Sequence, residues 1–256
     1  MDIGSAWFYP ALFATGLAAG FVDSIAGGGG LITLPVLLST GMNPQDALGT
    51  NKLQATFGSG SATWHFGRAG LVRAHECVYG IVFTAIGAGA GTWLVQGIRP
   101  TILKLIIPWV LIAIAIYLLV KPTLGHQRGE ARLSRNAFHV VFGLLIGFYD
   151  GIFGPGTGTF WAMAYVMFLG FDLTQATAHT KVMNFTSNVV SLTVFAFAGH
   201  VLLWPGVAMG MGQLFGAQLG SRTVIKGGAK IIRPIFLTVV VAISVKLLWD
   251  YFTKTR

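Results

Sequence analysis

Two aspartates and two lysines carry most of the chemistry this sequence can offer, because all four recur at matching positions of an internal repeat. Asp23 sits in Gly20-Phe21-Val22-Asp23-Ser24-Ile25 and Asp150 in Gly147-Phe148-Tyr149-Asp150-Gly151-Ile152. Each copy runs into a glycine-rich break, Gly27–Gly30 in the first and Gly154-Pro155-Gly156-Thr157-Gly158 in the second. With a two-residue offset the match continues: Gln45-Asp46-Ala47 precedes Lys52 as Thr174-Gln175-Ala176 precedes Lys181. Gly87 and Gly91 correspond to Gly216 and Gly220 at the same offset. The chain is a duplication.

The two aspartates are the only carboxylates inside long apolar segments. An ionised carboxylate in hydrocarbon is costly, so by default it is functional or paired. Desolvation favours its neutral form, which suits a proton carrier. The plainer alternative is that each caps a broken helix by accepting backbone N–H bonds. Both readings stay open, since a cap released on protonation would itself be a gate.

Lys52 stands among Thr50, Asn51 and Gln54, and Lys181 among His179, Thr180 and Asn184, each near the start of its segment. An ammonium is a compact point charge that can neutralise an anion; the alternative is a side chain snorkelling to water. Duplication favours a role with substrate or counter-ion. His179 occurs in one copy only and is a weaker candidate for proton relay. His65, His75, His126, His139 and His200 read as loop or interface residues.

Glycine breaks inside apolar segments leave backbone N–H groups unpaired at a helix N-terminus, which carries partial positive charge. Two such ends meeting at membrane depth form a cradle for an anion. The substrate-binding candidates are therefore Gly27, Gly28, Gly29, Gly30, Asn51, Lys52, Gln54, Gly154, Gly156, Thr157, His179, Lys181 and Asn184, with Asp23 and Asp150 for proton coupling. Asn188 and Thr186 are further polar residues near the cavity. The scattered Gly87, Gly89 and Gly91 fit close helix packing instead.

The elements that must hold these residues follow from composition. Hydrophobic residues make up 54% of the chain and charged residues 10%, against about a quarter charged in a soluble domain. Too little polar material remains to cover a soluble core. Spans of roughly twenty apolar residues fall near Trp7–Ile25, Val78–Val95, Ile102–Val120, Ala137–Phe153, Val182–Ala198, Leu203–Val224 and Ile231–Leu248. Leu31–Thr40 and Thr157–Leu169 are short and follow the breaks, while the mildly polar Leu48–Phe66 suits the interior. The fold class expected is all-α, a polytopic transmembrane bundle of two repeats with interrupted or short helices. Residues 1–122 form the first repeat, 123–135 a basic cytoplasmic linker, and 136–256 the second repeat.

Basic loops mark the cytoplasmic side. Arg68 and Arg73 lie in a loop whose counterpart, Gly199–Trp204, has no Lys or Arg. Equivalent loops then face opposite sides, and the repeats are inverted. The net charge of +9 reads as this orientation signal and not as a nucleic-acid surface. No basic region precedes the first apolar stretch, which reads as a permanent span. The single Cys77 excludes an intrachain disulfide.

Enzyme motifs fail on context. The second break is superficially like a phosphate loop, but no strand precedes it and no Gly-Lys-Ser/Thr ends it. Metal-ligand spacing and a nucleophile elbow are both missing from the sequence. No catalytic residue and no cofactor are expected.

Taken together, Gly20–Leu31, Ala47-Leu48-Gly49-Thr50-Asn51-Lys52-Leu53-Gln54, Gly147–Gly151 and Ala176–Lys181 resemble the sulfite exporter TauE/SafE family of membrane proteins, nearly end to end. The likeness is nearer to a bacterial inner-membrane branch than to the named exporters of sulfite or sulfoacetate. It implies passage of a small sulfur oxyanion or organosulfonate across the bacterial cytoplasmic membrane, with export implied by the family name. The reading is a multi-pass secondary transporter of a small anion, proton-linked, whose partners are that anion and the lipid bilayer. Homo-oligomerisation is left open. An anion channel, an intramembrane enzyme and a scaffold are the competing classes.

Overall fold

The computed structural model describes residues 6–120 and 129–227. Among these the fold is all-α: α1 (Phe8–Ala26), α2 (Gly29–Ser39), α3 (Pro44–Arg68), α4 (Val78–Gln96), α5 (Pro100–Val120), α6 (Arg135–Ile152), α7 (Thr157–Leu169), α8 (Leu173–Phe197) and α9 (Leu203–Gly227), with a 3₁₀ turn at Ala74–Cys77. The expected span Ile231–Leu248, His126 and the first part of the basic linker lie outside the described residues.

Polar and apolar residues are distributed inside out. Lys52, Lys181, Asp150, Gln54, Thr92 and Ser59 are buried, while Trp7, Trp93, Phe197, Trp204 and Leu105 are exposed. That arrangement is stable where the solvent is hydrocarbon and unstable in water. Both α1 and the stretch His75–Gln96 have the length and hydropathy to cross a bilayer.

Contact registers show how the helices run. Gly16 faces Met209 and Gly20 faces Gln213, so α1 and α9 are parallel. Leu53 lies against Gly206 and Phe57 against Gly210, so α3 runs the same way. In the other group Gly143 faces Phe83 and Gly147 faces Thr84 and Ala88, making α4 and α6 parallel. Thr84 reaches Met183 and Thr92 reaches Ser191, adding α8 to that direction. Between the groups, Ser59 meets Asn188 and Asp46 meets His200, so α3 and α8 are antiparallel. The repeat equivalents α3 and α8 thus point opposite ways, and so do α1 and α6, and α4 and α9. Each repeat also lends its first helix to the other, α1 packing on α9 and α6 on α4.

Glycine makes the parallel pairs possible. A Cβ on Gly91 would stand 2.1 Å from the carbonyl oxygen of Phe148, and one on its counterpart Gly220 would stand 2.1 Å from Ser24 Oγ. Without side chains the backbones close in, and dispersion replaces the missing hydrophobic drive.

Three expectations need correction. The span at Val182–Ala198 begins earlier, at Leu173, so Lys181 lies inside a continuous helix; Lys52 likewise lies within α3 and not at its start. A hydropathy ruler misses these turns because their Thr, Asn, Gln and Lys face the interior. His139, read as a loop or interface residue, is buried in α6 against Phe138 and Tyr165.

Candidate functional site

At the centre the two breaks touch. Gly27 is left-handed (φ 76°), and a Cβ there would be 2.4 Å from the carbonyl carbon of Gly158. Thr159 Oγ1 donates to the Ala26 carbonyl at 2.9 Å, tying the start of α7 to the end of α1. Helix interruption here is local chemistry. α1 ends in a left-handed glycine whose N–H bonds back to Asp23 O, and α7 opens behind the left-handed Gly156.

The four charges are crossed between repeats. Lys52 Nζ donates to Asp150 Oδ1 at 2.6 Å and to the Asp150 carbonyl at 2.5 Å. Lys181 Nζ donates to Asp23 Oδ2 at 2.9 Å and to the Asp23 carbonyl at 2.5 Å. Each lysine therefore binds the carboxylate and the last-turn carbonyl of the broken helix in the opposite half. Removing one partner of a buried pair costs about 3–5 kcal/mol, so these links bind the halves together.

The pairs differ in their second contact. Asp150 also accepts from Ser187 Oγ and is almost wholly enclosed. Asp23 accepts instead from the N–H of Gly29 at 3.2 Å and keeps 19% of its side chain accessible. The helix-capping alternative thus describes part of what Asp23 does, alongside its ion pair. At the position equivalent to Ser187 stands Gly58, and the Gln213 side chain occupies that space.

Between the pairs lies a cavity of about 30 Å³, lined from the expected set by Asp23, Gly27, Gly30, Asn51, Lys52, Asp150, Gly154, Thr157 and Asn184. It has room for water and not for a multi-atom anion. Gly28, Gly29, Gly156, Gln54 and Lys181 are not part of that lining, though Gly29 and Lys181 bond to Asp23 and Gln54 to Asn51. Gln54 Nε2 and Thr33 Oγ1 both donate to Asn51 Oδ1, at 2.8 and 2.6 Å, which fixes the Asn51 amide. His179 does not join them. Its ring lies among Tyr165 and Phe171, beside a separate pocket.

Sequence reasoning overlooked Gln213 and Ser187. Gln213 lines the cavity from α9, and its Oε1, like Asn184 Oδ1, is buried without a hydrogen-bond partner among the described residues.

Dry layers bracket the cavity. Along one face of α3 run Lys52, Ala55, Ser59, Ala62 and Phe66, and Phe66 is fully buried with Ile25 and Ala178. On the other side the repeat equivalent, Phe195, is fully buried in a cluster with Leu48 and lies against Gly49. Beyond Phe195 the helix ends are latched, His200 Nδ1 to Asp46 Oδ1 at 2.7 Å and the Leu202 N–H to Thr50 Oγ1 at 3.0 Å. Among the described residues no cluster of three His, Cys, Asp or Glu is placed to hold a metal.

This constellation can be compared with known proteins. The sequence profile of the sulfite exporter TauE/SafE family matches residues 12–247. The chain belongs to that family. A probable membrane transporter protein, ORF9, of Sinorhizobium sp is 47% identical over 239 residues, covering 93% of this chain and 92% of the relative. YfcA of Escherichia coli K12, also a probable membrane transporter protein, is 44% identical over 239 residues, 93% of this chain and 89% of the relative. A probable membrane transporter protein of Haemophilus influenzae is 43% identical over 98% of both chains. No solved structure matches. This TauE/SafE protein is accordingly a membrane transporter and not an enzyme.

Proposed function

We propose that the protein is a multi-pass secondary carrier of the bacterial cytoplasmic membrane that moves a small anion together with a proton. The crossed Asp–Lys pairs carry this reading. Two carboxylates and two ammonium groups make the centre neutral, so neither lysine has charge to spare for an anion. Protonating a carboxylate frees its lysine, and the anion takes the vacated place. The proton and the anion then share one site state and travel together, electroneutrally for a monoanion. Direction follows the combined gradients, and export runs when the anion accumulates inside.

Opposite helix directions in the two repeats support an inverted repeat, and the matched Phe66 and Phe195 layers support alternating access around a fixed centre. A channel would need a continuous wet path, and dry layers stand on both sides of the cavity. For the cargo, the family's description favours sulfite or a related sulfur oxyanion or organosulfonate.

Uptake into proteoliposomes of labelled sulfite, sulfoacetate, taurine and sulfate, with and without a pH gradient, tests this. Saturable uptake of one anion, accelerated by the gradient and lost in Lys52→Ala or Lys181→Ala, is the expected outcome. Absence of flux for every sulfur anion, from folded protein, would overturn the substrate class.

A further inference from the structure

A pocket of about 430 Å³ opens between the end of α3, the starts of α6 and α8, and the end of α7, on the far side of the Phe66 layer from the ion pairs. It touches none of the residues that line the central cavity. Arg73, Arg135, Glu76, Gln175 and His179 contribute its polar groups. Arg135 is paired with Glu76 at 3.1 Å, whereas Arg73 forms no ion pair among the described residues, so the lining holds one positive charge in excess.

His179 gives this pocket its chemical selectivity. The residue is 5% exposed, and its Nδ1 lies 2.9 Å from the Gln175 carbonyl. A carbonyl only accepts, so Nδ1 carries the hydrogen, and in the neutral ring Nε2 is left as a bare acceptor. That Nε2 is buried and has no partner among the described residues. Phe171, edge-on at 4.9 Å, and Tyr165 hold the ring in place. An unpaired buried acceptor and an unpaired guanidinium lining one pocket call for a ligand that is both anion and donor.

We propose that this pocket is an outer binding site for an oxyanion that carries its own hydroxyl, with the charge on Arg73 and the O–H donated to His179 Nε2. The site lies outward of the central one along α8, where Gln175 and His179 line the pocket and Asn184 and Asn188, further along on another face of the same helix, line the cavity. The proposal rests on the carrier reading and refines it, since the hydrogen-bearing form of the oxyanion would be the one collected.

Calorimetric titration of the purified full chain with dihydrogen phosphate, hydrogen sulfite, sulfate and methanesulfonate tests it, under mildly acid buffer. The two hydroxyl-bearing anions are expected to bind roughly tenfold tighter than the two without, the worth of about one buried hydrogen bond. His179→Phe, which keeps an aromatic ring in the cluster, should bring the four to parity. Arg73→Ala, at an exposed position, should weaken all four. Lys52→Met combined with Asp150→Leu should leave this binding unchanged while abolishing transport, which separates the outer site from the central one. Equal binding of sulfate and dihydrogen phosphate, or a preference that survives His179→Phe, would overturn the assignment.

Discussion

Lys52 of the first repeat bonds Asp150 of the second, and does so twice, through the carboxylate and through the carbonyl at the broken end of α6. One side chain thus neutralises an acid, caps a helix and joins the two halves. Lys181 repeats the arrangement on Asp23. Structure and proposed transport meet in these two links, because loosening either frees a charge and an interface at once.

The enclosed pair should behave as a unit. Lys52→Ala leaves Asp150 buried without its counter-charge and is expected to destabilise the protein by about 3–5 kcal/mol. Lys52→Met with Asp150→Leu should recover most of that loss, since a well-packed apolar pair avoids desolvation altogether. Thermal unfolding in detergent reads both, and uptake should be absent in both. Full transport by the double variant would remove the pair from the mechanism.

Asp23 is expected to be the more forgiving acid. It keeps some contact with water and receives a backbone N–H from Gly29, which an amide oxygen can still accept. Asp23→Asn should therefore unfold at a temperature closer to wild type than Asp150→Asn, whose contacts with Lys52 and Ser187 are both enclosed. Equal losses in the two variants would contradict this asymmetry.

Glycines at the parallel helix contacts should be sharply position-dependent. Gly91→Ala places a methyl group against the Phe148 carbonyl, and backbone cannot yield as a flexible side chain can. Gly89→Ala, two residues away, meets only Val190 Cγ1 at 3.6 Å. The first is expected to abolish folded expression and the second to leave it near wild type, as judged by size-exclusion elution.

The aromatic layers are expected to seal the cavity from either side. Cysteine placed at Asn184, in a Cys77→Ser background, should react slowly with a water-soluble thiol reagent. Phe66→Ala should speed that labelling at least tenfold while costing about 3–5 kcal/mol of stability. Unchanged labelling would show that another layer excludes water.

Much of this was legible beforehand, for identifiable reasons. Breaks announce themselves through Gly27–Gly30 and Gly154–Gly158, and the duplicated Asp and Lys stand out because charge is rare in apolar sequence. The crossing of the pairs was not legible. Asp23 and Lys52 belong to the same repeat, and only the exchange of α1 and α6 between halves brings each lysine to the other repeat's acid. The starts of α3 and α8 were hidden because hydropathy measures lipid exposure, and these helices face inward. His179 was grouped with the cavity for its nearness to Lys181, yet two residues along a helix turn a side chain to a different face. Gln213 and Ser187 carried no signal in their own repeat, since the equivalent positions are Thr84 and Gly58.

The central claim is that an anion and a carboxylate compete for each lysine, so that one proton accompanies each anion. Labelled anion uptake and lumenal pH, recorded together in proteoliposomes and corrected with protein-free vesicles, test it most directly. The wild-type protein should acidify the lumen in step with uptake, and Asp23→Asn combined with Asp150→Asn should abolish that coupled proton movement. Uptake in the double variant with the same proton movement and the same pH dependence as wild type would contradict the account.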